Sequence, residues 1–205
     1  MRSKQYLYLV LEYCEGGDLS EAMREGSLLP EVAVRRLMRQ LADGLEHLWA
    51  KHLVHRDLKP QNLLLSGSPF PSGVTLKIAD FGFARHLAVT DLATTLCGTP
   101  LYMAPEILSY KRYDGKADLW SAGVVLYQML VGRVPFSAAN HIELLATIER
   151  TDGVSLPPEV KARVSPQAAS LVEGLLRRKP AERLSFSEFF SHPFIRSTPP
   201  PSLPP

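Results

Sequence analysis

The chain has 205 residues, of which 45% are hydrophobic, so it is long enough to bury a core as one domain with at most a small addition. Its 23 basic and 21 acidic residues are spread along the sequence, which argues against a polybasic arm for nucleic acid or anionic lipid. The two cysteines, Cys14 and Cys97, show neither metal-ligand spacing nor a disulfide framework, which indicates a reducing compartment. We therefore expect a cytoplasmic protein without a nucleic-acid partner.

The first predicted element is a strand. The stretch "YLYLVLEY", residues 6–13, is rich in leucine, aromatic and β-branched residues, and "CEGGD" follows it as a connector. The run is short and has no small-residue cleavage site, which favours a strand over a signal peptide. The longest apolar stretch, residues 118–132, is interrupted by Ser121 and Gln128 and is too short to cross a bilayer. It predicts a buried helix, and no transmembrane segment is expected.

Helical spacing dominates the rest of the chain. Leucines at 37, 41, 45 and 48 predict an amphipathic helix from Pro30 to about His52. The segments "LLL" and "VTLKIAD" flank the turn-rich "SGSPFPSG" and predict two short strands. Further helices are predicted over residues 115–131, 139–149, 166–177 and 185–191. The proline-rich residues 197–205 predict an extended linker or a disordered tail.

An ordered set of short motifs carries the chemistry. They are "HRDLKPQN" at 55–62, "DFG" at 80–82, "APE" at 104–106, "DLWSAG" at 118–123 and Arg183 in "KPAERLS". In this order they resemble the catalytic part of a eukaryotic protein kinase. The resemblance implies an α+β, protein-kinase-like fold in residues 1–196, mainly the helical large lobe, with a hinge strand and short β-hairpins.

The resemblance gives these polar residues catalytic roles. Phosphoryl transfer spreads negative charge over phosphate oxygens, so catalysis needs cations and a positioned hydroxyl more than covalent chemistry. By resemblance, Asp57 accepts or orients the proton of the substrate hydroxyl, and Lys59 reaches the transferred phosphate. Asn62 and Asp80 would supply oxygen ligands for Mg²⁺ bound together with ATP.

The stretch "LVLEYCEGGD" resembles the hinge that joins the two lobes of a kinase. The resemblance implies that backbone groups of Glu12 and Cys14 bind adenine and that Leu11 lines the back of the pocket. Asp18 would reach the ribose, and Leu64 would pack under the base. Plain core packing is the alternative role for the two leucines.

The segment between "DFG" and "APE" resembles a kinase activation segment. Thr95 is the expected phosphorylation site, and its phosphate would pair with Arg56 and order the loop. Thr94 and Thr90 remain alternatives, as does an unmodified loop.

Other matching residues are expected to be structural. Thr99 would hydrogen-bond the catalytic aspartate and lysine, and Asp118 would anchor the backbone of the catalytic loop from a buried helix. Glu106 would pair with Arg183. At Lys179 the family usually has aspartate, and only a local loss of capping is expected there.

Substrate class also follows from resemblance. Lys59 with Pro60, and "GTP" at 98–100, imply serine/threonine rather than tyrosine specificity. The bulky Phe83 is associated with a preference for serine, and Gln61 argues against arginine-directed recognition.

Within the kinases, the chain resembles the autophagy-initiating unc-51-like serine/threonine family, particularly its plant and algal members. "LEYCEGGDLS", "HRDLKPQNLLL", "KIADFGFARHL" with "TLCGTPLYMAPEIL", and "YDGKADLWSAGVVLYQMLVGRVPF" carry this resemblance. It implies protein substrates, partners among autophagy-complex subunits, and recruitment to autophagosome-forming membranes. The calcium-dependent and energy-sensing kinase groups are the competing resemblances.

The chain contains no glycine-rich loop or "VAIK"-type lysine before the hinge, so we expect the small lobe to be missing. "VAVRR" at 32–36 imitates the lysine motif but follows the hinge, and His47, His52 and His55 imitate a metal cluster without forming a transition-metal site. Two interpretations stay open, namely part of a longer active kinase and a catalytically impaired interaction module. Little activity is expected of residues 1–205 alone, because half the nucleotide cleft would be absent.

Overall fold

A computed structural model describes residues 8–24, 28–86, 99–111 and 113–196. Within them the helices are α1 Leu19–Arg24, α2 Glu31–Ala50, α3 Pro105–Leu108, α4 Lys116–Val131, α5 His141–Glu149, α6 Pro158–Lys161, α7 Pro166–Leu175, α8 Phe186–Ser191 and α9 Pro193–Arg196. The strands are β1 Leu53–Val54, β2 Leu63–Gly67, β3 Val74–Ile78 and β4 Arg85–His86. Short 3-10 turns cover Pro60–Asn62, Phe81–Phe83 and Pro100–Tyr102. The predicted α+β class, dominated by helices, is confirmed.

Helix α2 confirms the predicted amphipathic helix. Its leucines at 37, 41, 45 and 48 are buried, and the helix packs on α4, α8, α9 and β3. Its leucine stripe provides the apolar face, and burial of that face stabilises the helix more than propensity does. The α2 helix also contacts β1, the strand that leads into the "HRDLKPQN" loop.

The predicted pair of short strands is also confirmed. Strands β2 and β3 form an antiparallel hairpin in which Leu63 pairs with Ile78 and Gly67 with Val74. Gln40 of α2 accepts the backbone N–H of Leu76 through Oε1 at 2.8 Å, so the hairpin is fixed to the helix. Strands β1 and β4 form a second, two-stranded sheet.

Helix α4 is the buried helix that the apolar stretch predicts. Nearly all its residues are buried, and it ends at Gly132, which has the left-handed φ of 83° that favours glycine at this position. The other predicted helices are confirmed as α5, α7 and α8. Side chains of Asn140, Ser165 and Ser185 cap them by accepting backbone N–H groups of the first turn.

The prediction of a strand at "YLYLVLEY" is wrong for its described part, residues 8–13. These residues have no strand conformation, and the side chains of Leu9, Val10, Leu11 and Tyr13 are 74–87% exposed. A strand needs a neighbouring strand to pair with its backbone, and in the described part of the chain none lies beside this segment. Composition signals strand propensity but not the partner that makes a strand.

Among the described residues, no helix is long and apolar enough to cross a membrane. They also contain no group of three or more histidine, cysteine, aspartate or glutamate side chains that could hold a metal ion.

Candidate active site

The Asp57 carboxylate lies at the centre of a buried polar cluster. It follows β1 in a loop that leads into the Pro60–Asn62 turn, and its side chain is buried. Oδ1 accepts the backbone N–H of Thr99 at 2.9 Å and the Thr99 hydroxyl at 3.2 Å. Oδ2 accepts from Lys59 Nζ at 2.8 Å and from Asn62 Nδ2 at 3.1 Å. These donors compensate the cost of burying a carboxylate.

Lys59 joins this cluster from two residues further along the loop. Its Nζ donates to Asp57 Oδ2 and to the Thr99 hydroxyl, both at 2.8 Å. The Lys59 side chain is 21% exposed, whereas that of Asp57 is 2% exposed, so the cation lies on the solvent side of the carboxylate. The Lys59 ammonium group therefore lies between the buried carboxylate and solvent.

Asn62 and Asp80 lie at the same end of the β2–β3 hairpin. Asn62 precedes Leu63, and the backbone N–H of Ala79 donates to the Asn62 carbonyl at 2.9 Å. The Asn62 amide nitrogen donates to the Asp57 carbonyl at 2.8 Å, whereas its Oδ1 has no hydrogen-bond partner within the described part of the chain. An amide oxygen and an exposed carboxylate are the type of oxygen ligands that suit Mg²⁺.

The Asp80 carboxylate is exposed to solvent, and one of its oxygens accepts a hydrogen bond. Its backbone has a left-handed φ of 61°, and its Oδ1 accepts the N–H of Gly82 at 3.2 Å. The next residue, Phe81, packs its ring edge-to-face on His55 at 5.3 Å. The conformation of the "DFG" turn is therefore tied to the catalytic loop.

Asp118, in the first turn of α4, holds the backbone of the catalytic loop. Its Oδ2 accepts the N–H of His55 at 2.7 Å, and its Oδ1 accepts that of Arg56 at 2.9 Å. Burial raises the pKa of Asp118, and these two backbone N–H groups oppose that shift. Arg56 has a left-handed φ of 70°, which is strained for a residue with a side chain, so the two bonds stabilise a costly conformation.

His55 is buried and links two segments. Its Nε2 lies 2.9 Å from the carbonyl of Ala79, and its Nδ1 accepts the N–H of Asp57 at 3.3 Å. Only a neutral imidazole with its proton on Nε2 satisfies both contacts, and we assign that tautomer from them.

Arg56 faces the predicted activation segment. Its Nε donates to the carbonyl of Phe83, and its Nη1 donates to the hydroxyl of Tyr113 at 3.3 Å. The expected phosphorylation site Thr95, with its alternatives Thr94 and Thr90, lies outside the described residues.

The residues predicted to bind the nucleotide are only partly brought together. An antiparallel bridge joins Asp18 to Leu64. Leu11, however, is 81% exposed, and the Glu12 carboxylate lies 3.3 Å from Lys77. Cys14 is half-buried, and its carbonyl accepts the N–H of Gly17 at 3.3 Å.

Asp18 also has a structural contact that the sequence analysis missed. Its Oδ1 accepts the backbone N–H of Glu21 at 3.0 Å and the hydroxyl of Ser20 at 2.5 Å, so it caps the start of α1. An aspartate directly before the first helical residue, with a glutamate three residues later, is the signal that could have predicted this cap.

Two polar residues in the apolar helix α4 position the turn that carries Thr99. The hydroxyl of Ser121 donates to the carbonyl of Tyr102 at 2.8 Å, and the Tyr102 hydroxyl donates to Gln128 Oε1 at 2.8 Å. Sequence analysis noted Ser121 and Gln128 only as interruptions of an apolar run. A polar residue in such a run is itself a signal of a buried hydrogen bond.

Glu106 and Arg183 form a buried, bidentate ion pair. Arg183 Nη1 and Nη2 donate to the two Glu106 carboxylate oxygens at 2.8 and 3.0 Å, and Nη1 also donates to the carbonyl of Lys116 at 2.8 Å. The Arg183 guanidinium lies 5.2 Å from the centre of the Trp120 ring. Lys179, in the neighbouring turn, pairs with Glu182 at the surface.

Comparison with known proteins places these residues in a family. The protein kinase domain model matches residues 1–195. The serine/threonine-protein kinase ATG1a of Arabidopsis thaliana is 50% identical over 190 residues, covering 93% of this chain and 30% of the relative. ATG1c of the same plant is 49% identical over 195 residues, covering 95% of this chain and 26% of the relative.

A fungal relative gives the same result. The serine/threonine-protein kinase atg1 of Aspergillus fumigatus is 45% identical over 239 aligned positions, covering 94% of this chain. The chain spans 24–30% of the length of these three relatives. With a kinase model that matches almost its whole length, the chain belongs to the protein kinase domain family.

Proposed function

We propose that residues 1–196 form the catalytic part of a serine/threonine protein kinase that transfers the γ-phosphoryl group of ATP to serine or threonine hydroxyls of proteins, followed by a linker or disordered tail over residues 197–205. The observation that carries the proposal is the cluster in which Asp57, Lys59, Asn62 and Thr99 meet at hydrogen-bonding distance, with Asp80 at the adjacent end of the hairpin.

Asp57 accepts or orients the proton of the substrate hydroxyl. Its carboxylate is held by donors on both oxygens, so it cannot rotate away from the entering hydroxyl. The Thr99 hydroxyl donates to Oδ1 at 3.2 Å, which supports Oδ1 as an acceptor of O–H groups. General-base assistance of this kind contributes about 10²–10⁴-fold to rate.

Lys59 contributes positive charge where negative charge develops. Its Nζ lies on the solvent side of Asp57, and a point charge there favours the phosphoryl group in the transition state. Asn62 Oδ1 and the Asp80 carboxylate are the groups that would hold Mg²⁺, because one lacks a partner among the described residues and the other is exposed. When bound, Mg²⁺ neutralises phosphate oxygens.

Leu11, the backbone groups of Glu12 and Cys14, Asp18 and Leu64 are proposed to bind the nucleotide. Asp18 and Leu64 are already adjacent. Leu11 and its neighbours are exposed, so this segment would have to gain packing partners before it could enclose adenine.

Activation by phosphorylation of Thr95 belongs to the same proposal. A phosphate on Thr95 would compete for the Arg56 guanidinium, which donates to the Tyr113 hydroxyl and the Phe83 carbonyl. Charge-assisted bonds to phosphate are stronger than these neutral ones, so the exchange is favourable.

We further propose that the protein containing this chain acts in autophagy initiation in the cytoplasm. The similarity to the ATG1 kinases supports this assignment. Its partners would then be autophagy-complex subunits, and its place of action autophagosome-forming membranes.

A second candidate is a non-catalytic interaction module. It is supported by the exposed apolar side chains of residues 9–11 and 13, which could bind a protein partner. The intact catalytic cluster favours the kinase.

The kinase proposal is tested with Asp57→Asn in a protein that contains this chain. Phosphate transfer from Mg-ATP to a serine peptide should fall at least about 100-fold, and circular dichroism should show that the variant still folds. Asp152→Asn, which changes a carboxylate whose side chain is 88% exposed, is the matched control. An unchanged transfer rate in the Asp57 variant would reject the role given to Asp57.

The activation proposal has its own test. Thr95→Ala should lower the transfer rate more than Thr94→Ala does, and mass spectrometry should find phosphate on Thr95. Equal activity of Thr95→Ala and the parent, with no phosphate at that position, would remove Thr95 from the proposal.

A further inference from the structure

A groove lies between the start of α1 and the β2–β3 hairpin. It has a volume of about 740 Å³, and we call it the hairpin groove, defined by Glu15, Ala22, Leu65, Phe70 and Val74. None of the residues that surround the Asp57 carboxylate lines it. The groove is therefore separate from the proposed site of phosphoryl transfer.

The floor and one wall of the hairpin groove are apolar. Leu65 and Val74 are 1% and 2% exposed and form a rigid floor, because both belong to the paired strands of the hairpin. Phe70, in the loop between these strands, is 39% exposed and forms a wall. An exposed aromatic ring above a buried aliphatic floor suits an inserted aliphatic side chain.

The main chain of Gly16 and Gly17 forms another wall of the groove. Gly16 and Gly17 line it, and a Cβ atom on Gly16 would lie 2.7 Å from the carbonyl oxygen of Leu65. Backbone bonds from Gly16 N–H to the Leu65 carbonyl and from Leu65 N–H to the Gly17 carbonyl, both 2.9 Å, fix this wall. A preformed wall lowers the entropy cost of binding an extended segment.

The charge at the groove is negative on balance. Glu21 and Arg24 lie 4.0 Å apart and offset each other, which leaves Glu15. Glu15 is exposed, and its Oε1 accepts the N–H of Gly67 at 2.8 Å, so the carboxylate is held at the edge of the groove. Hydrogen bonds from its own backbone N–H and from Gly67 hold the pKa of Glu15 below its ordinary value, so the side chain is an anion at neutral pH.

We propose that the hairpin groove is a docking site for an extended peptide segment of a partner protein, in which an aliphatic side chain packs on Phe70 and a lysine or arginine pairs with Glu15. The charge of Glu15 selects the cation, and the apolar floor selects the aliphatic residue. Binding there needs no phosphoryl transfer, so the inference goes beyond the proposed function and can fail or hold independently of it.

A random peptide library displayed on phage and selected on the purified 205-residue chain tests the proposal. Synthetic copies of the enriched peptides are then measured by fluorescence anisotropy. We expect enriched peptides to combine a basic residue with leucine, isoleucine or valine. Phe70→Ser and Glu15→Lys should each raise their Kd roughly tenfold or more.

Glu15→Gln separates charge from structure. Glutamine retains an oxygen that can accept the Gly67 N–H, so this variant keeps the wall and removes only the charge. It should weaken binding less than Glu15→Lys does. Ile142→Ser and Glu159→Lys change an exposed apolar and an exposed acidic residue that do not line the groove, and both should leave Kd unchanged.

The proposal is overturned if no peptide is enriched, if the enriched peptides lack basic residues, or if the Kd values are the same for the parent and both Glu15 variants. The Glu15 variants decide the result if Phe70→Ser fails to fold, as judged by circular dichroism. Kinase activity does not enter this test.

Discussion

Replacing Asp118 by asparagine tests how the catalytic loop is held in place. The two carboxylate oxygens accept the N–H groups of His55 and Arg56 at 2.7 and 2.9 Å. Asparagine offers one acceptor oxygen and one NH₂ group, so one of these backbone N–H groups would face another donor. An unsatisfied buried N–H costs about 1–3 kcal/mol, and we expect the free energy of unfolding to fall by that amount.

The effect on phosphoryl transfer should exceed the effect on stability. The left-handed backbone of Arg56, with φ of 70°, costs about 1–2 kcal/mol and relaxes once its bond to residue 118 is lost. Relaxation there displaces the next residue, Asp57, from the hydroxyl it must orient. We therefore expect kcat to fall while KM for the peptide changes little, since the peptide contacts are not altered.

The stability difference between the parent and Asp118→Asn should also depend on pH. Burial raises the pKa of Asp118 above its ordinary value of 3.8, so the folded state keeps the proton at pH values where the unfolded chain has lost it. The stability contributed by this group is therefore complete below the unfolded pKa and is lost as pH rises through the folded pKa. Asp118→Asn has no such titration, so its deficit in stability should be larger in acid than at neutral pH.

Urea unfolding followed by tryptophan fluorescence measures both effects. Asp152→Asn, with a side chain 88% exposed in the parent, serves as the control and should match the parent. The reasoning is refuted if Asp118→Asn unfolds at the same urea concentration as the parent at neutral pH, or if its deficit grows as pH rises.

The remaining predictions concern three contacts elsewhere in the fold. Glu106→Gln leaves the buried Arg183 without a counter-charge and should lower the free energy of unfolding, measured in urea, by about 3–5 kcal/mol. A decrease below about 1 kcal/mol would contradict the stabilising role of the buried pair. Gly67→Ala should lower the Tm measured by calorimetry, because residue 67 has a φ of 95° and its Cβ would lie 2.5 Å from the Gly73 carbonyl oxygen. An unchanged Tm would contradict this prediction and show that the end of the hairpin adapts. Ser185→Ala removes the hydroxyl that accepts the Glu188 N–H, which is the side-chain half of the α8 capping box. It should cost about 1 kcal/mol, measured by urea unfolding against Ser187→Ala.

The elements that sequence predicts best are those whose stability comes from their own pattern. Leucines at 37, 41, 45 and 48 repeat at the helical period and are all buried in α2, which the structure confirms as Glu31–Ala50. Turn residues between two apolar runs likewise predicted the β2–β3 hairpin. In both cases the residues that specify the element also supply its main contacts.

Residues 8–13 show where such prediction ends. Their composition favours a strand, but strand formation depends on a backbone partner that the local sequence cannot specify. The hydroxyl contact between Tyr113 and Arg56 could not be predicted for a related reason, since it joins residues far apart in the chain. Motif order predicted which residues would be catalytic but said nothing of which atoms meet.

Helix α4 sets the relative position of the two halves of the candidate site. Asp118 holds the loop that carries Asp57, whereas Ser121 and Gln128 hold the turn that follows Thr99. One extra residue between Asp118 and Ser121 would rotate these attachment points by about 100° relative to each other and shift them by about 1.5 Å along the axis. The number of residues between these attachment points on α4 therefore fixes the geometry of the candidate site, in addition to the identity of the residues themselves.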